Sequence, residues 1–237
     1  MHRTTAAPRR VDSNQSGLHP RLAERVRRHL LHPYRRPVAE HNRRAFEQAA
    51  ERLAEHDGPL LLDSFCGVGA STALLACRHP EALVVGLDKS AHRLARHGHH
   101  LPASAGGRLP DNCLLVRTEV DDFWRLAAEA GWRPQAHYLL YPNPWPKAAH
   151  LQRRVHGSPV FPHLLELGGR IELRSNWRLY LEECAAALAL AGWTARLRPL
   201  PPAPPWTPFE RKYAAAGQSL WQLVALPGPE SHSAPAP

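Results

Sequence analysis

Short apolar runs that alternate with amphipathic segments through the middle of the chain constrain the fold more than any other feature. Leu60–Leu62, Leu83–Leu87, Cys113–Val116, Tyr138–Tyr141 and Arg170–Leu173 read as strands. Between and after them, Ser71–Arg78, Ala91–His97, Asp121–Ala130 and Leu179–Ala191 carry helical spacing. Strands this short and this apolar must be covered on both faces, so the pattern predicts an α/β fold built on a parallel sheet. Pro199–Pro205 follows Trp193–Leu197 and can only be a loop, after which Ser219–Leu226 returns as a last strand.

Ahead of this core, Leu22–Leu31 and Val38–Ala54 read as two amphipathic helices around a Pro33–Pro37 break. Residues 1–20 have no periodicity and are expected to be a disordered basic arm. Residues 227–237, rich in Pro and Ser, are expected to be a disordered tail. That leaves 21–226 as a single domain with an N-terminal helical extension. Of the formal charge of +9, +8 falls in residues 1–45, where eleven arginines face three acids. A basic arm on a near-neutral body points to a polyanionic partner, nucleic acid or an anionic membrane surface. A solvated arginine-rich tail is the plainer alternative, since only Lys89, Lys147 and Lys212 are lysines. No apolar run approaches the roughly 18 residues that span a bilayer, and the first residues lack the apolar segment of a secretory signal. Cys66, Cys77, Cys113 and Cys184 are scattered, and the histidines around His97, His99 and His100 have no matching thiol or carboxylate cluster. The expectation is a cytoplasmic protein with neither metal site nor disulfide framework and no membrane partner.

The turn after the first strand reads Asp63-Ser-Phe-Cys-Gly67-Val-Gly69. Gly67 and Gly69 permit a tight turn and a close backbone approach to a ligand at a helix N-terminus. Asp88 ends the second strand 19 residues later, where an acid accepts hydrogen bonds from both ribose hydroxyls. Asp63 adds negative charge where a pyrophosphate would be repelled but an amino group would be welcome. This set of residues favours S-adenosyl-L-methionine over a dinucleotide, with Glu119 near the adenine. The alternative is that Asp88 and Glu119 merely cap helices.

After the fourth strand comes Leu140-Tyr-Pro142-Asn143-Pro-Trp145-Pro-Lys147-Ala-Ala-His150-Leu-Gln-Arg153-Arg154. This resembles the P-D-P-W-P-K-x-R-H-x-x-R-R signature of the bacterial tRNA (guanine-N7)-methyltransferases, which modify guanine 46. Ile171-Glu-Leu-Arg-Ser-Asn176-Trp177 resembles that family's strand ending in T-D-W. Thr207-Pro-Phe-Glu210-Arg-Lys212 resembles its T-x-F-E-x-K/R loop. The resemblance runs over roughly residues 40–226. It implies a Rossmann-like, class I S-adenosyl-L-methionine-dependent methyltransferase with a seven-stranded, mostly parallel sheet, its last strand antiparallel and helices on both faces. It further implies that Asp63, Gly67, Gly69, Asp88 and Glu119 hold the cofactor, with Asn143 between methyl and base in the catalytic position. Asn176, Thr207 and Glu210 would frame the base of a tRNA. Lys147, His150, Arg153 and Arg154 would form the phosphate-binding segment.

The chain departs from the family pattern where both aspartates are asparagines, Asn143 and Asn176, and where Ala149 replaces an arginine. Guanine N7 has a lone pair and no proton, so its methylation rests on positioning and electrostatics rather than a base. Asn offers one acceptor and one donor, and cannot match the guanine N1–H and 2-amino edge as a carboxylate does. Two alternatives therefore stay open. Asn143-Pro144-Trp145 resembles the N-P-P-Y turn of methyltransferases acting on exocyclic amines of adenine or cytosine, and a catalytically inactive paralogue would also keep the fold. Trp145 and Trp177 are candidates to stack on an extruded base, whereas Tyr141, Phe161 and Trp132 read as packing. Oligomeric state is left open.

Overall fold

The computed structural model describes residues 8, 10–32 and 34–228. Two helices, α1 (Leu22–Leu31) and α2 (Glu40–Ala54), precede the sheet. The alternating region then runs β1 (Leu60–Ser64), α3 (Ala70–Arg78), β2 (Leu83–Asp88), α4 (Ala91–Leu94), β3 (Cys113–Arg117), α5 (Val120–Glu129) and β4 (Ala136–Leu140). After it come α6 (Phe161–Leu167), β5 (Arg170–Ser175), α7 (Arg178–Leu190), β6 (Thr194–Pro199), α8 (Pro208–Ala215) and β7 (Trp221–Leu226). The seven strands form one sheet in the order β3-β2-β1-β4-β5-β7-β6, with β7 antiparallel to both its neighbours. This is the class I methyltransferase architecture that the sequence implied.

Every residue of β1, β2 and β4 is buried, as expected of central parallel strands covered on both faces. The strand order reverses between β1 and β4, so the chain leaves their carboxyl ends in opposite directions and opens a crevice there. The N-terminal helices help shape that edge. Phe46 of α2 packs on Phe123 and Trp132, at 5.4 and 4.9 Å between ring centroids. The Asn42 side chain, fully buried, donates to Asp122 at 2.7 Å and accepts from the Thr118 hydroxyl and the Glu119 amide, both at 3.1 Å. One amide thereby fixes α2 to the turn that presents Glu119.

Three expectations about local structure need correction. The second helix begins at Glu40 rather than Val38, and the helix expected over Ala91–His97 stops at Leu94 before a 3-10 turn at His97–His100. The segment from Thr207, read as a loop, is helix α8. Thr207 caps it by accepting from the Glu210 amide at 3.0 Å, and Pro208 occupies the first turn. Thr-Pro-x-Glu is a helix-start signal in its own right.

The arm expected to be disordered over residues 1–20 is docked where it is described. Ser13 donates to the Pro146 carbonyl at 2.7 Å, Asn14 accepts from the Ala148 amide at 3.0 Å, and the His19 amide donates to Glu183 at 2.9 Å. Two of its polar side chains and one backbone amide bond to the loop after β4 and to buried Glu183, which a periodicity reading does not register. Residues 1–7 and 9, and 229–237 of the expected tail, lie outside the described residues.

Candidate active site

The crevice at the β1/β4 switch contains a cavity of about 470 Å³, within the usual range for a small-molecule site. Asp88, Glu119, Asn143, Arg153 and Asn176 line it, so five of the sequence candidates from four separate loops converge there. Phe65, Tyr141 and Trp145, the three non-glycine residues with positive φ among the described residues (65°, 56° and 46°), all line the same cavity. Backbone strain of about 1–3 kcal/mol per residue is thus concentrated in the walls of one site. Tyr141, which reads from the sequence as packing, is one of the lining residues. Its phenol is pushed upward in pKa, first by burial and then by the charge of the nearby Glu210.

The cofactor side begins at the glycine turn. Gly67 and Gly69 take φ of 63° and 74°, and a Cβ on Gly69 would stand 2.8 Å from Leu115. Gly67 N–H donates to Asp88 at 3.1 Å, linking the two motifs directly. Asp88, nearly fully buried, also accepts from the Ser90 amide at 2.8 Å and from Arg93 at 2.9 Å. The two amides occupy two of the roughly four acceptor sites of the carboxylate, and the half-exposed Arg93 guanidinium occupies a third that the second hydroxyl of a ribose diol would have to take over. Glu119 sits at the start of α5 without capping it, and its exposed side chain meets Lys89 at 3.8 Å. The neighbouring Asp121 is pushed up to about 6 by desolvation in the crevice and by the charges of Glu119 and Asp122.

Asp63 lies beneath this wall, fully buried. Its Oδ2 accepts from Ser71 at 2.6 Å and Thr72 at 2.7 Å, whereas its Oδ1 has no partner. Burial raises its pKa to about 6 against the pull of the two hydroxyls. A buried carboxylate oxygen with nothing to accept from is a place for a cationic N–H donor. S-adenosyl-L-methionine carries such a group, along with a ribose diol for Asp88, and the residues present fit it.

The opposite wall is the loop after β4. Asn143 is exposed into the cavity and accepts from the Trp145 amide at 3.3 Å. Trp145 is flanked by Arg153, whose guanidinium lies 4.7 Å from the ring centroid, and by the His150 ring, edge-on at 5.6 Å. Lys147 is exposed, and its carbonyl rather than its side chain enters the loop's hydrogen bonding. Asn176 donates to Gln218 at 2.8 Å.

Arg154, expected to meet phosphate, has no exposed surface. It pairs with Glu183 of α7 and donates to the Trp145 carbonyl at 3.1 Å, to Gln15 at 3.1 Å and to the Lys147 carbonyl at 3.3 Å. All its donors point inward because Glu183 is buried and needs a counter-charge. Thr207 and Glu210, expected to frame a base, are likewise turned away from the cavity. Thr207 is the buried cap of α8, and the Glu210 carboxylate receives Arg174 at 3.2 Å. What α8 presents to the cavity instead is Phe209 and Tyr213, one turn apart. Trp177 packs against Tyr180 and under the Arg154 guanidinium. Among the described residues there is no group of three or more potential metal ligands, and no helix long and apolar enough to cross a membrane.

Residues 57–223 match a protein family described as "Putative methyltransferase". The chain belongs to this family. Curated relatives include the tRNA (guanine-N(7)-)-methyltransferase of Leifsonia xyli subsp. xyli, 30% identical over 76% of this chain and 81% of the relative. The protein of the same name from Sodalis glossinidius is 25% identical over 70% and 71%. Among solved structures, the 16S rRNA methyltransferase KamB superposes with a TM-score of 0.57 at 21% identity, covering 82% of this chain and 96% of that one. A 16S rRNA (adenine(1408)-N(1))-methyltransferase mutant from Catenulisporales acidiphilia, solved with cosubstrate SAM, gives 0.50 at 21%, over 80% and 94%. At these identities the structures speak for the shared fold. The family assignment makes the chain an S-adenosyl-L-methionine-dependent methyltransferase.

Proposed function

We propose that this methyltransferase acts on guanine N7 of tRNA, at the position of guanine 46. The observation that carries the reading is the placement of Asn143: the P-x-P-W-P-K loop presents it in the cavity across from Asp88 and Glu119. The names of the curated relatives support the same reaction.

When bound, S-adenosyl-L-methionine supplies an electrophilic methyl group on a sulfonium. The chain's own part is to hold and aim. Asp88 accepts from the ribose hydroxyls, Asp63 Oδ1 accepts from the ammonium group, and Gly67 and Gly69 let the backbone come close. Trp145, Phe209 and Tyr213 offer aromatic faces against which an extruded base can be held. Guanine N7 carries a lone pair and no proton, so accepting the methyl group would move no proton and would require no general base from the chain. The base becomes cationic, and Asn143 contributes its carbonyl dipole where the relatives' motif has a full charge. Arg153, beside Trp145 at the mouth, meets phosphate.

Incubation with bulk tRNA and methyl-labelled cofactor, followed by nucleoside analysis, tests the reading. The expected product is 7-methylguanosine. N6-methyladenosine would overturn the assignment in favour of an exocyclic amine, and tight cofactor binding without transfer to any RNA would leave a binding protein.

A further inference from the structure

Helix α8 has a second side that the reaction does not use. Phe209 and Tyr213 face the active-site cavity, while Thr207, Pro208 and Arg211 line a separate groove of about 340 Å³. Its other walls are Arg78 of α3, the His99–Ser104 segment and the proline loop at Pro204–Trp206. Arg78, His99, His100 and Arg211 bring four basic side chains to it, and no acidic residue lines it. Neither Arg78 nor Arg211 has an ion-pair partner among the described residues. By contrast Arg174, 3.7 Å from the Trp206 ring, is held by Glu172 and Glu210. Arg78 is ordered over the same Trp206 ring, its guanidinium 4.5 Å from the centroid. The like charges crowd one another. Burial, and then Arg96, His99 and Arg211, lower the His100 pKa.

An uncompensated basic groove with a pre-positioned guanidinium is destabilising in the isolated protein and calls for an anion. The flat planar donors of Arg78 and Arg211 suit phosphate oxygens. We infer that this groove binds the phosphodiester backbone of the RNA substrate, on the far side of α8 from the reacting base. A helix is about 10–12 Å across, so a strand that delivers its base past Phe209 and Tyr213 can lay flanking phosphates over α8 into the groove. The inference rests on the RNA-methyltransferase reading and deepens it by giving the substrate a second point of attachment.

The test is binding of fluorescently labelled bulk tRNA to full-length protein at several salt concentrations, for wild type, Arg211→Gln and Arg211→Glu. Arg211 is exposed, so both variants should fold, and calorimetry with S-adenosyl-L-methionine should return wild-type affinity. Arg211→Gln is expected to weaken tRNA binding about threefold to tenfold and to flatten the log–log salt slope by about one. Arg211→Glu should weaken it further, and inorganic phosphate at millimolar levels should compete with wild type only slightly. Wild-type affinity and slope in Arg211→Glu would overturn the groove assignment. The two proposals fail separately: 7-methylguanosine formation with unaltered Arg211→Glu binding sinks only the groove. Weakened Arg211→Glu binding with a different methylated product sinks only the reaction.

Discussion

Arg154 and Glu183 form a fully buried ion pair that ties the loop carrying Asn143 to helix α7. The pair is also where the N-terminal segment docks, because the Gln15 side chain bridges the two residues and the His19 amide donates to Glu183. His156, itself buried, donates to the same carboxylate at 3.1 Å. A motif that reads as a phosphate contact is in fact the anchor of the active-site wall.

Removing one partner should therefore cost far more than a surface charge. Glu183→Ala strands the Arg154 guanidinium in the interior, for which about 3–5 kcal/mol is typical. Chemical denaturation should show a loss of that order. Deletion of residues 1–12 should leave the midpoint almost unchanged, whereas deletion of 1–20 should lower it, since only the longer deletion removes Ser13, Gln15 and His19.

The same carboxylate sets an acid limit. Burial by itself would raise the Glu183 pKa, but the His156 hydrogen bond and charge, the His19 amide and Arg154 outweigh it and hold the group at about 2, against an ordinary 4.5. A depressed folded pKa means stability that is complete above 4.5 and lost as pH falls toward 2. Burial depresses His156 as well, so its contribution is full above its ordinary 6.5 and declines below it. Urea midpoints should fall as pH drops from 4 to 3, below the range in which Asp63 acts in the opposite sense, and a flat profile there would contradict this account.

Asp63 carries the opposite sign. Its pKa is raised from 3.8 to about 6, so the ionised form is a penalty to the folded protein that grows as pH rises from 4 and is complete above 6. Asp63→Asn should stabilise the cofactor-free protein at pH 8, by up to roughly 3 kcal/mol. It should also weaken S-adenosyl-L-methionine binding, whose wild-type affinity should rise between pH 5 and 7. Thermal melts and calorimetry across that range check both halves.

Asp88→Ala should reduce cofactor affinity by about two orders of magnitude, the loss of two charge-assisted hydrogen bonds of roughly 1.5 kcal/mol each. Calorimetry that finds intact affinity would remove Asp88 from the ribose site.

Asn143→Asp bears directly on the reaction. If guanine N7 is the acceptor, restoring a carboxylate beside the developing cation should raise the single-turnover rate by about tenfold without a large change in tRNA affinity. A fall in rate would mean that the amide suits a different acceptor.

Much of the fold was legible because its signals are local. Leu60–Leu62 and Leu83–Leu87 are too apolar to be anything but covered strands, and the Asp63-to-Gly69 turn with Asp88 marked the cofactor edge. The start of α8 is written locally too, in Thr207-Pro-x-Glu210, although the resemblance to a family loop points away from a helix there. The burial of Arg154 is not written locally. An arginine next to Arg153 in a basic segment carries no sign of which one turns inward, since its counter-charge, Glu183, lies on another element. Phe65, Arg93, Phe209 and Tyr213 enter the cavity wall for reasons equally remote in sequence: strand order, the strained turn after β1 and the face α8 presents.

By itself the sequence determined the α/β class, the alternation of strands and helices through the core, the cofactor turn and the motif that names the family, because periodicity, glycine placement and short motifs are properties of neighbouring residues. Tertiary structure alone decided which charges are neutralised. Arg154, Arg174 and Glu210 are spent in the interior, while Arg78 and Arg211 are left uncompensated. The energy of a charge depends on burial and on partners brought together by the folded sheet, which no local pattern encodes.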